Sequence, residues 1–427
     1  MLRAFVNAFK VPDLRNKILF TVFIIGVFRL GSWIPVPGVD FDRIEQAAAA
    51  QQQGLRALIN LFSGGALGQM AVFALGIMPY ITASIIMQLL AVVIPKLEQW
   101  QKEGEQGRRK ITQWTRYATV MLALLQSSGL TVLAQQTGQN SLFGVNVIPN
   151  ANAGTLTLIV LTLTAGTSFI MWLGELITQR GVGNGMSLLI YISIIAVIPA
   201  QGNAVLSADG VGAFTLIMLL ALGITLAIVF MEQGQRRIPV QYARRQVGRR
   251  VYGGQSTYIP LKVNQAGVIP VIFASSMLYI PTLAASMTTW QPLIEFNQRY
   301  LSNPSSFVYI AVFAAMNMFF TYFYAAIAFN PVEVADNMKR YGGFVPGIRP
   351  GRQTAEYLDR ILNRILLPGS LYLTSVAVLP FVAIALMGIQ QFPLGGIELL
   401  IVVGVALETM KQVESQLLQR NYEGFLA

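Results

Sequence analysis

The sequence predicts an all-α membrane protein with ten transmembrane helices, and three observations carry that prediction. Only 11% of the 427 residues are charged while 54% are hydrophobic, against roughly 25% charged in soluble domains. A mean hydropathy of +0.56 over 46.7 kDa exceeds what one buried core explains, because a soluble chain must still cover its surface with polar side chains. Uncharged apolar stretches long enough for a span, about 20 residues each, begin near residues 18, 71, 114, 155, 185, 212, 266, 306, 365 and 395.

The first stretch, Ile18 to Ile34, carries Arg29 close enough to its outer end for the side chain to snorkel. It is not read as a cleavable signal, because no small-residue cleavage site follows and Trp33-Ile34-Pro35 resembles an interface exit. The second, Ala71 to Leu90, holds Pro79 in its interior, where the lost backbone bond favours a kink. Thr82, Ser84 and Gln88 on that span need partners at depth, so one face meets protein or water unless the three serve only routine helix packing. The fifth, Gly185 to Pro199, is short unless its helix begins inside the preceding loop.

Sidedness follows from charge. Of the 30 Lys and Arg residues, 26 fall in segments on the side of the N-terminus and 3 on the other, with Arg29 inside a span. By the positive-inside rule the chain is multi-pass with both termini in the cytoplasm, and its net charge of +11 is mainly a statement of orientation. Glu175, Glu232, Glu398 and Glu408 all lie near span ends. A mid-span carboxylate would mark ion-coupled transport, and none is present.

Absent residue types narrow the chemistry further. With no Cys and no His, thiol nucleophiles, disulfides, His-dependent triads and Cys/His metal sites are excluded. No Gly-Lys dipeptide occurs, so no Walker-type phosphate loop is present. The chain reads as a non-enzyme without metal or cofactor, dependent on a partner for energy.

The run Leu58 to Met70 is apolar and uncharged but too short to cross a bilayer, and Gly64, Gly65 and Gly68 interrupt it. Two readings fit: a re-entrant piece within a central vestibule, or an amphipathic stretch on the outer leaflet. Two cytoplasmic connections, about 232–265 and 330–364, are large and basic. The first contains Arg236, Arg237, Arg249 and Arg250, with a small hairpin expected around Gly253-Gly254. In the second, Val345-Pro-Gly-Ile-Arg-Pro-Gly351 predicts a turn with Arg349 at its tip. Both suit docking of something acidic, RNA phosphate included, or contact with anionic lipid headgroups.

Leu61-Phe-Ser-Gly-Gly-Ala-Leu, Ala74-Leu-Gly-Ile-Met-Pro-Tyr-Ile and Met171-Trp-Leu-Gly-Glu-Leu-Ile-Thr-Gln-Arg-Gly-Val-Gly-Asn-Gly stand in this order along the chain. Arg236-Arg237, Arg249-Arg250-Val-Tyr, Lys262-Val-Asn-Gln-Ala-Gly-Val-Ile-Pro, Phe329-Asn-Pro and Val345-Pro-Gly-Ile-Arg-Pro-Gly follow. Together they resemble the bacterial SecY family, the channel subunit of the Sec protein translocase, over nearly the whole chain.

The resemblance implies two pseudo-symmetric halves, residues 1–200 with helices one to five and 201–427 with helices six to ten. It implies a re-entrant plug helix near 60–72, including Asn60, Leu61, Phe62, Ser63, Gly64, Gly65 and Ala66. A hydrophobic pore ring is implied at Ile77, Ile81, Met186, Ile190, Ile272 and Ile401; the spacing of Ile77/Ile81 and Met186/Ile190 independently puts each pair on one helix face. Helices two and three would part from seven and eight to release signal sequences and transmembrane segments into lipid, with Thr82, Gln88, Ser275 and Ser276 as polar contacts along that seam. Implied partners are SecE, SecG, the SecA motor, the ribosome, nascent chains and anionic lipids. Arg236, Arg237, Arg249, Arg250 and Arg349 would dock motor or ribosome at a bacterial cytoplasmic membrane. Two other classes compete with this protein-conducting channel: a small-solute secondary transporter, suggested by the broken segments, and an insertase or scaffold without a continuous pore.

Overall fold

The computed structural model describes residues 9–40, 42–44, 63–135, 146–208, 210–242, 245–247, 250–252, 256–288, 290–301, 306–387 and 395–423. Ten helices of sixteen residues or more lie among them at the predicted positions. In the first half these are α1 (Pro12–Gly31), α2 (Met78–Val93), α4 (Glu105–Gln135), α5 (Ala153–Arg180) and α6 (Gly185–Ala208), with the short α3 (Pro95–Lys102) after α2. In the second they are α7 (Gly210–Gln233), α8 (Ile269–Met287), α10 (Phe307–Ala328), α12 (Arg352–Met387) and α13 (Gly396–Glu423), with short α9 (Gln291–Phe296) and α11 (Pro331–Arg340). By length and composition six described helices can cross a membrane, or seven if α2 and α3, bent by 101° at their junction, form one span. The protein is an all-α membrane protein, with two small sheets among the described residues.

Neighbour relations repeat between the halves. In the first, α2 packs on α4, α4 on α5, α5 on α6, and α1 on α6; in the second, α8 packs on α10, α10 on α12, α12 on α13, and α7 on α13. The halves meet where α6 touches α7 and α13, and where α8 touches α4 and α2.

Two span expectations are corrected. Pro79 is not interior to its helix: residues 71–77 form turns, α2 begins at Met78, and Pro79 occupies the first turn. Its missing N–H is harmless there because that turn has no intrahelical acceptor to offer. The fifth helix is not short either, since α6 continues through Pro199 to Ala208.

The two basic connections fold together. Strand β1 (Gln235–Tyr242) pairs antiparallel with β4 (Ser256–Lys262) and also with β5 (Gly343–Phe344) from the other connection, in the order β4-β1-β5. Ile238 and Val240, alternate residues of β1 and hence on one face, join Leu261, Met338, Val345, Leu358 and Ile361 in a separate apolar core. Between them β2 (Arg245–Val247) pairs with β3 (Arg250–Tyr252). Arg250–Tyr252 thus finds its partner upstream in Arg245–Val247; the hairpin expected around Gly253-Gly254 falls on residues outside those described.

Leu358 is fully buried in that small core. Leu358→Ala should loosen the platform by about 2–5 kcal/mol while leaving the bundle intact. Limited proteolysis should then cut the two connections faster without fragmenting the spans.

Candidate functional site

Four segments bring the ring candidates together. Ile77 caps α2, Ile81 lies one turn on, Met186 and Ile190 sit in the first turns of α6, Ile272 near the start of α8, and Ile401 in α13. Ile77, Met186, Ile190 and Ile401 are buried in one apolar cluster, and Ile81 and Ile272 pack partly buried against it. The cluster extends into α1, α5, α7, α10 and α12, so the six positions are continuous with the packing of both halves.

The loop before α6 explains how Met186 is placed. Asn184 Oδ1 accepts from the backbone N–H groups of Met186 and Ser187 at 3.1 and 3.4 Å, capping the helix. Thr178 Oγ1 accepts from Gly185 N at 2.9 Å, tying the end of α5 to the start of α6. A Cβ on Gly185 would collide with the backbone carbonyl of Gly174, and one on Gly174 with Met186 Sδ. These glycines let the two helices approach closely enough to press Met186 onto α5.

Beside the ring candidates lies the Gly-rich segment. Asn60, Leu61 and Phe62 lie outside the described residues. Ser63 to Gly76 is a run of turns with one 3-10 turn, Leu67–Gln69, rather than a regular α-helix. Ala66 and Ala71 join the cluster that holds the ring candidates. Leu67, Met70, Ala74 and Leu75 face a second cluster with Val36, Ile44, Leu130, Ile148 and Ile159. Backbone groups find partners inside the protein: Val36 N donates to Met70 O at 3.0 Å, Val72 N to Ile34 O at 2.9 Å, and Leu67 N to Ser63 Oγ at 3.1 Å. Arg29 Nη1 donates to Gly64 O at 3.0 Å. The snorkelling expected of Arg29 is thus replaced by a half-buried contact with this segment. Of its features only the charge inside an apolar span was visible beforehand.

At the place expected for the seam between helices two and three and helices seven and eight, α8 touches both α2 and α4. Among the described residues, three of the four polar side chains expected along it bond locally. Thr82 Oγ1 donates to Met78 O (3.0 Å), Gln88 Nε2 to Ser84 Oγ (3.5 Å), and Ser275 Oγ to Val271 O (2.8 Å), each within its own helix. The buried Ser276 hydroxyl has no partner among the described residues.

On the platform, Arg236 and Arg237 stand exposed on β1, the latter with its guanidinium 4.8 Å from the Tyr258 ring centroid. Arg250 opens β3, and Arg249 lies outside the described residues. The predicted turn forms: Ile348 N donates to Val345 O at 3.0 Å across Pro346 and Gly347, whose φ is +82°. Proline second and a left-handed glycine third is the type II pattern, and Arg349 follows it, exposed.

The SecY family model matches residues 71–410. The chain belongs to the SecY family. Proteins named protein translocase subunit SecY from Mycobacterium bovis and Streptomyces coelicolor are 53% and 56% identical to it over 442 and 439 residues, covering 100% of both chains in each case. Among solved structures, one described as a protein conducting channel shares the fold with a TM-score of 0.63 at 17% identity, covering 93% of this chain and 91% of that one. A SecY structure concerned with its plug domain, said to stabilise the closed state and maintain a membrane seal, gives 0.62 at the same identity and coverage. Sec61 from a canine ribosome-channel complex gives 0.57, again at 17% identity with 93% and 91% covered. Membership of the SecY family sets aside the small-solute transporter reading.

Gly185→Ala should cost roughly 1–3 kcal/mol of overpacking, because the new methyl meets backbone that cannot rotate away. A lowered thermal unfolding midpoint in detergent, larger than for Gly223→Ala, where a Cβ meets nothing within 4 Å, checks this.

Proposed function

We propose that the chain conducts unfolded secretory polypeptides through a pore ringed by Ile77, Ile81, Met186, Ile190, Ile272 and Ile401. The observation that carries this reading is the convergence of those side chains, from both halves, beside a buried, irregular Gly-rich segment. An aliphatic constriction offers an ion no substitute for its hydration shell, and it grips a passing chain only through non-directional contacts. Met186 adds a flexible, polarizable member to an otherwise branched set. Residues 60–72 act as the plug.

The repeated neighbour relations support two halves, divided near residue 200 and arranged as ten spans. Transmembrane segments leave between α2/α4 and α8/α10. Charge asymmetry supports a bacterial cytoplasmic membrane with both termini inside, and the joined basic platform supports docking of ribosome or SecA through Arg236, Arg237, Arg249, Arg250 and Arg349. SecE and SecG complete the complex, and anionic lipid meets the remaining basic side chains.

The chain has no Cys, so single cysteines report without background. Ile81→Cys or Ile272→Cys in the assembled translocase should crosslink to a precursor stalled in transit, and absence of a crosslink at both removes the pore assignment. Charge reversal by Arg349→Glu should lower precursor transport on the order of tenfold, as expected for losing one hydrogen bond to a charged group. Wild-type transport with the variant present at wild-type levels would count against docking there.

A further inference from the structure

Arg29 sits in the last turn of α1, two residues before its end. Among the described residues it forms no ion pair, and its guanidinium is turned toward the Gly64 carbonyl. Gly64 and Gly65 adopt φ values of +66° and +91° in succession, a left-handed pair that glycine adopts without steric cost. A Cβ placed on Gly64 would lie 3.1 Å from Ser193 Cα, 3.3 Å from Arg29 Nη1 and 3.4 Å from Ser193 Cβ. Three elements therefore touch at one point: α1 through Arg29, the Gly-rich segment through Gly64, and α6 through Ser193.

The other end of the segment is held differently. Met70 and Val72 exchange backbone hydrogen bonds with Val36 and Ile34, the residues that lead out of α1. That strap binds the segment directly beside the exit of α1. The Arg29 contact closes the end far from the strap.

We infer that Arg29 is a positioning residue whose guanidinium latches the segment into its seat by donating to the Gly64 carbonyl. The inference rests on reading residues 60–72 as the seal of the pore. A charge–carbonyl bond suits such a latch. On release, water takes over both groups, so the net cost of opening is far below that of separating a buried ion pair. Arginine suits it better than lysine because one arm of a planar fork can bond the carbonyl while the others stay hydrated.

Ion conductance of the reconstituted translocase, compared at equal protein amounts, tests the latch. Arg29→Gln should leak on the order of tenfold more than wild type, the loss expected for one charge-assisted hydrogen bond. Arg29→Lys, which keeps charge and a donor, should restore part of the seal. With residues 60–72 replaced by a Gly-Ser linker, Arg29→Gln should add nothing to the leak already present. A tight Arg29→Gln channel beside a leaky linker channel overturns the latch and leaves the seal reading standing. A linker channel that does not leak overturns the seal reading itself. Arg29→Lys as leaky as Arg29→Gln, or a Gln leak that adds to the linker's, shows that Arg29 acts otherwise than by donating to the segment.

Discussion

Irregular backbone at membrane depth has to satisfy its amides and carbonyls within the protein, because hydrocarbon offers no hydrogen bonds. Ser63 to Gly76 meets that demand from several directions. The exit of α1 supplies a short antiparallel bridge at Pro35 and Ala71, Ser63 accepts from Leu67 N, and Arg29 reaches Gly64 O. The surrounding helices are shaped to this passage. A Cβ at Gly166 of α5 would strike the Val72 carbonyl, and one at Gly31 of α1 the Phe73 ring. Small residues at helix surfaces permit close backbone approach; here the element admitted is a non-helical strand of the same chain.

The basic platform is built by other rules, with its own core and a sheet stitched from two distant connections. It is nevertheless continuous, through α12, with the central cluster that holds the ring candidates. That helix contributes Leu358 and Ile361 to the platform core, and Leu373, Val376 and Ala377 to the central cluster. Its 36 residues would extend roughly 50 Å at 1.5 Å per residue. Pro368 and Pro380 interrupt its ladder. A partner pressing on the platform thus acts on an element that also lines the packing around Ile401. Helix α11 adds a second tie, capped by Asn330, whose Oδ1 accepts from Val332 and Glu333 N.

Helix positions were legible in the sequence because uncharged runs of membrane length leave few alternatives, and the turn before Arg349 because Pro and Gly fix its backbone locally. Helix starts were less legible. Pro79 looked interior because residues 71–77 are as apolar as the helix after them, and hydropathy does not distinguish turns from helix inside a protein. The β1–β5 pairing joins residues about a hundred positions apart through only two residue pairs, too short a ladder for alternation to announce. Arg29 was visible as a charge in a span, but its partner is a backbone carbonyl, which every residue carries and no sequence pattern marks. Likewise the proposed ring positions rest on family resemblance and paired spacing, not on composition, since isoleucine in a membrane helix is unremarkable.

The bonding of Thr82, Gln88 and Ser275 bears on how the proposed lateral opening works. In lipid, apolar helix faces gain nothing from water exclusion, so association rests on packing and on whatever hydrogen bonds cross the interface. Here Thr82, Gln88 and Ser275 bond within their own helices, and separation breaks none of those bonds, while the buried Ser276 hydroxyl makes none across the seam among the described residues. Elsewhere the bundle does cross-link: Ser127 and Thr164 join α4 to α5 at 3.2 Å, Asn317 Nδ2 donates to Thr374 Oγ1 between α10 and α12 at 3.0 Å, and Arg116 grips Glu175 through two bonds of 2.8 and 2.6 Å. Those ties lie within each half. Polar cross-links inside the halves, with none from Thr82, Gln88 or Ser275 across the α2–α8 contact, are the arrangement that the proposed lateral opening requires.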